Sequence, residues 1–279
     1  MTQAAKHLQD TTTLNNGVKM PWFGLGVYKV NDGDEVINAV KTAIETGYRS
    51  IDTAAFYQNE QGVGIAVKES GVPREELFIT TKVWNDDQGY EQTLKAFEKS
   101  MKLLDLEYID LYLVHWPVKG KFKETWKALE KLYRDGRVRA IGVCNFKEHH
   151  LQELLADAEI VPAVNQVELH PRLTQQPLRE FCQKHNIQVE AWAPIMRGKL
   201  GDNPVLLKIA AKYGKTPAQV ILRWDIQHGI VTIPKSARPE RIKENADIFD
   251  FELTAEEMAE IDALNRDERT GPDPDVFAQ

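Results

Sequence analysis

Leu111-Tyr112-Leu113-Val114-His115 is the stretch on which the fold turns. A short apolar run closed by one polar residue reads as a strand with a functional side chain at its C-terminal end. Similar runs recur near residues 23–25, 50–52, 77–82, 109–114, 138–143, 163–167, 187–192 and 230–233. Longer segments with helical spacing lie between them. Asp34 to Thr46 puts Val36, Ile37, Val40 and Ile44 on one face; Leu94, Phe97, Met101 and Leu104 repeat the pattern, as do Trp126, Leu129, Leu132 and Tyr133. Thr216-Pro217 is an N-cap with proline at the first helical position, and Thr254 followed by Glu257 is a capping box. Eight strands alternating with helices imply parallel pairing, and the count predicts a closed (β/α)8 TIM barrel over residues 1–279, with an extra C-terminal helix begun at Thr254. Before it, Thr11 to Leu14 and Val18 to Met20 flank Asn15-Asn16-Gly17. This predicts an N-terminal β-hairpin, with the Asn-Gly pair supplying the positive φ angles of the turn. Gly271-Pro272-Asp273-Pro274-Asp275 is expected to continue no helix and to drape over a surface.

Composition narrows the class. The chain has 279 residues, 42% of them hydrophobic, and a formal net charge of −7, which argues against nucleic acid as a partner. Two cysteines, Cys144 and Cys182, imply no disulfide framework and suit a reducing compartment. Met1 to Asp10 is polar, without the apolar centre of a secretion signal, and no apolar run is long enough to span a bilayer. The expectation is a cytoplasmic chain with no membrane partner.

Four polar residues end three consecutive strands: Asp52 and the nearby Tyr57, then Lys82, then His115. In a barrel these ends share one mouth, where chemistry sits. A phenol is a poor acid near neutrality, with an ordinary pKa of about 10. An adjacent ammonium is expected to lower it, a carboxylate to hold the ammonium, and an imidazole to orient the group being protonated. Such a set suits carbonyl reduction, in which the new alkoxide takes a proton as hydride arrives.

The chain resembles the aldo-keto reductases. The resemblance is carried by Gly47-Tyr48-Arg49-Ser50-Ile51-Asp52-Thr53-Ala54 with Tyr57 and Asn59-Glu60, Thr81-Lys82-Val83-Trp84, and Asp110 to Pro117. It continues through Gly142 to Phe146, Asn165 to Pro171, and Ile233-Pro234-Lys235-Ser236 with Arg241 and Asn245. It implies a catalytic set of Asp52, Tyr57, Lys82 and His115 and NADPH-dependent reduction of aldehydes and ketones, with Tyr57 as general acid. The nearest branch in likeness includes 2,5-diketogluconate reductase and glyoxal/methylglyoxal reductases, which suggests small dicarbonyls or keto-sugar acids as substrates and a monomer as the working form.

No Rossmann fingerprint accompanies this implication. Gly24-Leu25-Gly26 and Gly62-Val63-Gly64 each lack the third glycine and read as turns or close packing sites. A barrel offers instead the loops after its last two strands. Lys235, Ser236 and Arg241, by resemblance, would hold the adenosine 2′-phosphate, and Asn245 the adenine. Asn145 and Gln166 would meet the nicotinamide carboxamide and Trp192 its ring. Cys144 stands where the resemblance leads one to expect serine, and a thiol is the weaker partner. Arg197, in a loop expected to close over the pyrophosphate, is a further phosphate candidate. Trp22, Trp84 and Trp116 flank strand ends, with Phe23 and Tyr28 nearby, and suggest an aromatic-walled substrate cleft. The short tail suggests that this cleft is open.

Three other readings stand beside this one. His149-His150 with Glu153 is the densest histidine cluster, but adjacent helical residues do not share a face, so no metal site is expected. A Schiff-base aldolase would use Lys82 as nucleophile, which a paired Asp52 opposes. The remaining alternative is a regulatory or sensor module that binds NADPH with little turnover.

Overall fold

The computed structural model describes residues 4–279, so the first three residues of the polar stretch Met1 to Asp10 lie outside the described residues. Strands β1 (Thr11–Thr13) and β2 (Lys19–Pro21) pair antiparallel as a hairpin. Eight further strands follow: β3 (Leu25–Gly26), β4 (Ser50–Asp52), β5 (Phe78–Val83), β6 (Ile109–Val114), β7 (Val138–Cys144), β8 (Val164–Glu168), β9 (Gln188–Trp192) and β10 (Val231–Thr232). They pair in parallel in sequence order. Parallel bridges Phe23↔Thr232 and Gly26↔Lys235 join the two ends, with Gly24 N donating to Thr232 O at 3.0 Å, and the sheet closes into the expected barrel. The seam is tight: a Cβ at Gly26 would lie 3.0 Å from the carbonyl oxygen of Ile233.

The helices are α1 (Asp34–Thr46), α2 (Glu60–Glu69), α3 (Tyr90–Leu104), α4 (Phe122–Arg134), α5 (Glu148–Asp157), α6 (Gln176–Lys184), α7 (Pro204–Tyr213), α8 (Pro217–Gln227), α9 (Pro239–Ala246), α10 (Ala255–Asp262) and α11 (Pro274–Phe277). The periodic apolar faces pack inward; in α1 Val36, Ala39, Val40, Ala43 and Ile44 are buried. The Thr216 N-cap and the Thr254/Glu257 capping box both form, and Gln219 turns the first into a capping box as well. Gly62 and Gly64 lie in α2 and serve close packing, since a Cβ at Gly64 would stand 2.0 Å from the carbonyl oxygen of Leu104.

One local expectation changes. In the hairpin only Gly17 has positive φ (89°). Its N–H donates to Leu14 O and Leu14 N donates to Val18 O, so one left-handed glycine completes the loop and Asn16 is not left-handed. The tail continues no helix, since α10 ends at Asp262, but it starts a helical turn of its own, α11, because Asp273 caps it and Pro274 occupies its first position. The same rule that located α8 therefore applies here.

Strand alternation sorts the side chains. Phe78, Leu111, Leu113, Ala140, Val164 and Val231 point into the barrel, where Leu14 and Met20 of the hairpin pack with them and fill its N-terminal end. The opposite faces meet the helices. Toward the other end of the strands the inward positions turn polar.

Candidate active site

Asp52, Lys82 and His115 stand at the C-terminal ends of β4, β5 and just past β6, and all three are buried. Tyr57 ends a short 3-10 turn, Ala55–Tyr57, followed by Gln58 in the left-handed region (φ 57°). Asn59 fixes that turn: its amide donates to the carbonyls of Val27 and Val30 at 2.9 Å each, and its oxygen accepts from the Thr53 hydroxyl. The loops after β3 and β4 are thereby tied together, and the phenol is carried over the barrel.

The Lys82 ammonium spends all three of its protons. It donates to Asp52 Oδ1 at 2.5 Å, to the Thr53 carbonyl at 3.0 Å and to the Tyr57 hydroxyl at 3.1 Å. Burial disfavours its charge, but Asp52 and the neighbouring groups outweigh that, and Lys82 is held more firmly protonated than a free lysine. A lysine in this state is no nucleophile, which removes the basis of the aldolase reading. Tyr57 departs from expectation. Burial pushes its phenol up, Lys82 pulls it down and Asp52 pushes it up, and the net direction is upward. Lys82 thus offsets part of the cost of burying a phenolate instead of making the phenol acidic outright. Because the Tyr57 oxygen accepts from Lys82, its own proton remains free to be donated. Burial, with Lys82, drives His115 well below the usual histidine range, so it is neutral. Its buried Nδ1 has no partner among the described residues.

The amides expected at the nicotinamide end meet here too. Asn145, left-handed at φ 66°, donates to the His115 carbonyl at 3.0 Å and accepts from Trp192 Nε1 at 2.8 Å. Gln166 donates to Asp52 Oδ2 at 2.7 Å. Cys144 lies between the two amides, 3.7 Å from Gln166 Oε1 and 3.3 Å from Asn145 Nδ2, buried and with its thiol pushed up by burial. It braces the amides and is no reactive thiolate. Each amide keeps one donor or acceptor position unused.

Around the mouth the rings differ from those expected. Trp84 and Trp116 are in place, with centroids 5.2 and 6.4 Å from His115. Trp22 is not. It precedes β3 and lies by the hairpin at the N-terminal end of the barrel, beside a groove it lines with Thr12, Asn15, Gln188 and Ile230. Flanking a strand was too weak a criterion, since only the C-terminal flank reaches the mouth. Tyr28, past β3, takes that side, 5.1 Å from the Tyr57 ring. Phe56 stacks on Trp84 at 3.8 Å, and Phe277 of α11 packs 4.5 Å from Trp116. Neither was anticipated. Phe56 adjoins Tyr57 and was visible as such; Phe277 required knowing where the tail returns.

The loop after β10 carries Lys235, exposed, and Ser236, buried, whose hydroxyl accepts from Arg238 N at the start of α9. Arg241 is exposed on that helix and Asn245 buried in it. Arg238 pairs with Glu240. Arg197 is exposed in the loop after β9, where Ala193, Met196 and Arg197 all have positive φ.

The histidine pair is closer than its sequence implies. The rings of His149 and His150 lie 3.9 Å apart at the start of α5, and with Asp275 they form the one group of possible metal ligands among the described residues. Lys147 already donates to Asp275 at 2.6 Å and Asp273 at 2.8 Å. His150 Nδ1 accepts from Lys147 N, which leaves its proton on Nε2, the atom that faces Asp275. These contacts describe an ion-paired clasp on the tail.

Residues 22–266 match the aldo/keto reductase family. The chain is 68% identical over 268 residues to glyoxal reductase of Bacillus subtilis (strain 168), covering 96% of this chain and 97% of that protein. It is 49% identical to methylglyoxal reductase DkgA of Escherichia coli (strain K12), covering 95% and 96%. The solved structure of a Gox0644 mutant in complex with NADPH superposes with a TM-score of 0.92 at 46% identity, covering 96% of this chain and 98% of that one. With a closed barrel, the Asp52–Lys82–Tyr57 cluster at its mouth and relatives matched along nearly their whole length, the chain belongs to the aldo/keto reductase family.

Proposed function

We propose that this chain, as a monomer, reduces small aldehydes and ketones with NADPH, with dicarbonyls such as methylglyoxal or glyoxal as the first substrates to test. The observation that carries the reading is the Lys82 ammonium bonded at once to Asp52 and to the Tyr57 hydroxyl. The names of the relatives, glyoxal reductase and methylglyoxal reductase, support the substrate class, and the NADPH complex of Gox0644 supports the cofactor.

The donor set fits the cofactor. Exposed Lys235 and Arg241 flank the start of α9 and suit a 2′-phosphate; Arg offers paired donors to it. Asn245 is placed for the adenine. Asn145 and Gln166 have hydrogen-bonding capacity left for a carboxamide, and Trp192 is held against Asn145 for the ring face. When bound, NADPH supplies the hydride.

The protein's part is proton donation and positioning. Tyr57 gives its proton to the carbonyl oxygen, and Lys82, held by Asp52, stabilises the phenolate left behind. Neutral His115 hydrogen-bonds the carbonyl oxygen and orients it. Tyr28, Phe56, Trp84, Trp116 and Phe277 wall the mouth, which favours compact substrates with some apolar surface.

The test is NADPH oxidation in the presence of methylglyoxal, glyoxal and simple aldehydes, for wild type and Tyr57→Phe. The expected loss in kcat for the variant is about 10²–10⁴-fold with NADPH affinity kept. Near-normal turnover in Tyr57→Phe would overturn the assignment. NADPH binding by the wild type with negligible turnover on every carbonyl would favour the sensor module.

A further inference from the structure

Behind the proton-donating cluster lies a second carboxyl that the mechanism does not use. Glu190, in the middle of β9, is 1% exposed and points into the barrel. Its Oε2 has no hydrogen-bond partner among the described residues. Its register neighbours are Gln166 on β8 and Val231 on β10. The ionisable groups facing it come from three other strands: Asp52 of β4, Lys82 of β5 and Cys144 of β7; Val231 and Thr232 of β10 carry none. Gln166, whose amide donates to Asp52 Oδ2, also favours the charged form of Glu190, so one amide stands between two carboxyls.

We propose that Glu190 is a positioning residue for the proton donor: held neutral, it leaves Asp52 as the one negative charge matched to Lys82, and on losing its proton it disables reduction. This rests on the reading of Tyr57 as the acid. Charge balance in the buried cluster sets the effect. With Glu190 neutral, one carboxylate faces one ammonium, and the phenolate formed at Tyr57 has the ammonium to itself on its side. With Glu190 ionised, two buried carboxylates face one ammonium. Breaking the Tyr57 O–H bond to form the substrate O–H bond would then add a third negative centre in low dielectric. The Gln166 amide, now attracted by a second anion, also leaves Asp52 less well fixed. Geometry gives the same answer independently. A carboxylate oxygen buried without a donor is costly, and a bound proton removes most of that cost. Burial, with Asp52 adding to it, pushes the Glu190 carboxyl up to about 8, which places the transition within reach of assay.

The experiment is the pH profile of kcat and KM for NADPH-dependent methylglyoxal reduction by the full chain, wild type beside Glu190→Gln. In the wild type kcat should fall about tenfold per pH unit above a limb near the Glu190 transition. In Glu190→Gln that limb should vanish or move up by at least about one pH unit, with KM within about twofold. A residue that only fills space would lower kcat evenly and leave the limb in place, and that outcome overturns the proposal. Should the variant fail to fold, infrared difference spectroscopy of the wild type decides: a protonated carboxylic acid band present at neutral pH must fade across the same limb. Its absence at neutral pH overturns the proposal without reference to turnover. Failure of the wild type to reduce any carbonyl while the band is present would sink the reductase reading instead.

Discussion

Glu190 costs the folded state something, and the sign of that cost is testable. Its carboxyl ordinarily titrates near 4.5 and is raised to about 8 in the barrel. Between those values the unfolded chain has released the proton while the folded chain retains it. Stability therefore falls as pH rises through that window, by up to about 1.4 kcal/mol per pH unit, and the loss is complete above it. Glu190→Gln has no proton to release, so its Tm should gain on that of the wild type from pH 4.5 to 8 and run parallel beyond; a constant difference would mean that Glu190 is ionised in the fold. At the other end of the site, Arg241→Ala should weaken NADPH about 10–100-fold and NADH far less, measured by tryptophan quenching. Equal losses would remove the phosphate role. That Asp52, Lys82 and His115 meet at one mouth, with Tyr57 just beyond β4, was legible because strand ends are easily counted. Glu190 was not, although Gln188, Glu190 and Trp192 alternate and one known inward residue assigns all three. Trp22 misled for the converse reason: proximity to a strand says nothing about which end.

Elements were the most legible scale. Apolar periodicity and capping residues located α1, α8 and α10, and the eight runs became eight strands. What sequence did not reveal is how closely the elements approach. Gly64 lets α2 meet the last turn of α3, where a methyl group would sit 2.0 Å from the Leu104 carbonyl oxygen. Two effects oppose each other in Gly64→Ala. Alanine favours the helix by about 1 kcal/mol, whereas forcing a methyl against backbone typically costs about 1–3 kcal/mol and more where neither side can move. Both partners here are helix backbone, so steric cost should win and denaturant unfolding should show net destabilisation. A more stable Gly64→Ala would mean that the two helices slide apart freely.

On the scale of the whole molecule, the barrel is filled at one end by the hairpin and bordered at the other by segment 270–278. Three sets of contacts hold that segment, one of them Lys119 N donating to Ala278 O at 2.9 Å. Buried Glu168 accepts from Thr270 N and Gly271 N, and Lys147 pairs with Asp273 and Asp275. Phe277 is thereby set against Trp84 and Trp116. The expectation of an open cleft bordered by a short tail thus gives way to one with an aromatic wall built by the tail. Phe277→Ala should raise KM for aromatic and branched aldehydes about fivefold, leave methylglyoxal nearly unchanged and leave Tm within a degree or two. An equal effect on every substrate would place Phe277 outside the cleft. The tail was hard to foresee because its anchors, Glu168, Lys147 and Lys119, stand more than a hundred residues earlier in the chain.

That wall differs in kind from the others. Trp84 and Trp116 adjoin barrel strands, so a change there disturbs the strands that hold Lys82 and His115. Phe277 is held by a few surface ion pairs, the Glu168 carboxylate at the end of β8 and the bond from Lys119 N to Ala278 O, and it lies in no strand itself. Variation in those final residues can therefore alter which molecules the mouth admits while the chemistry beneath stays as it was. A substitution in that short segment should therefore shift which carbonyl compounds are accepted at little risk to folding.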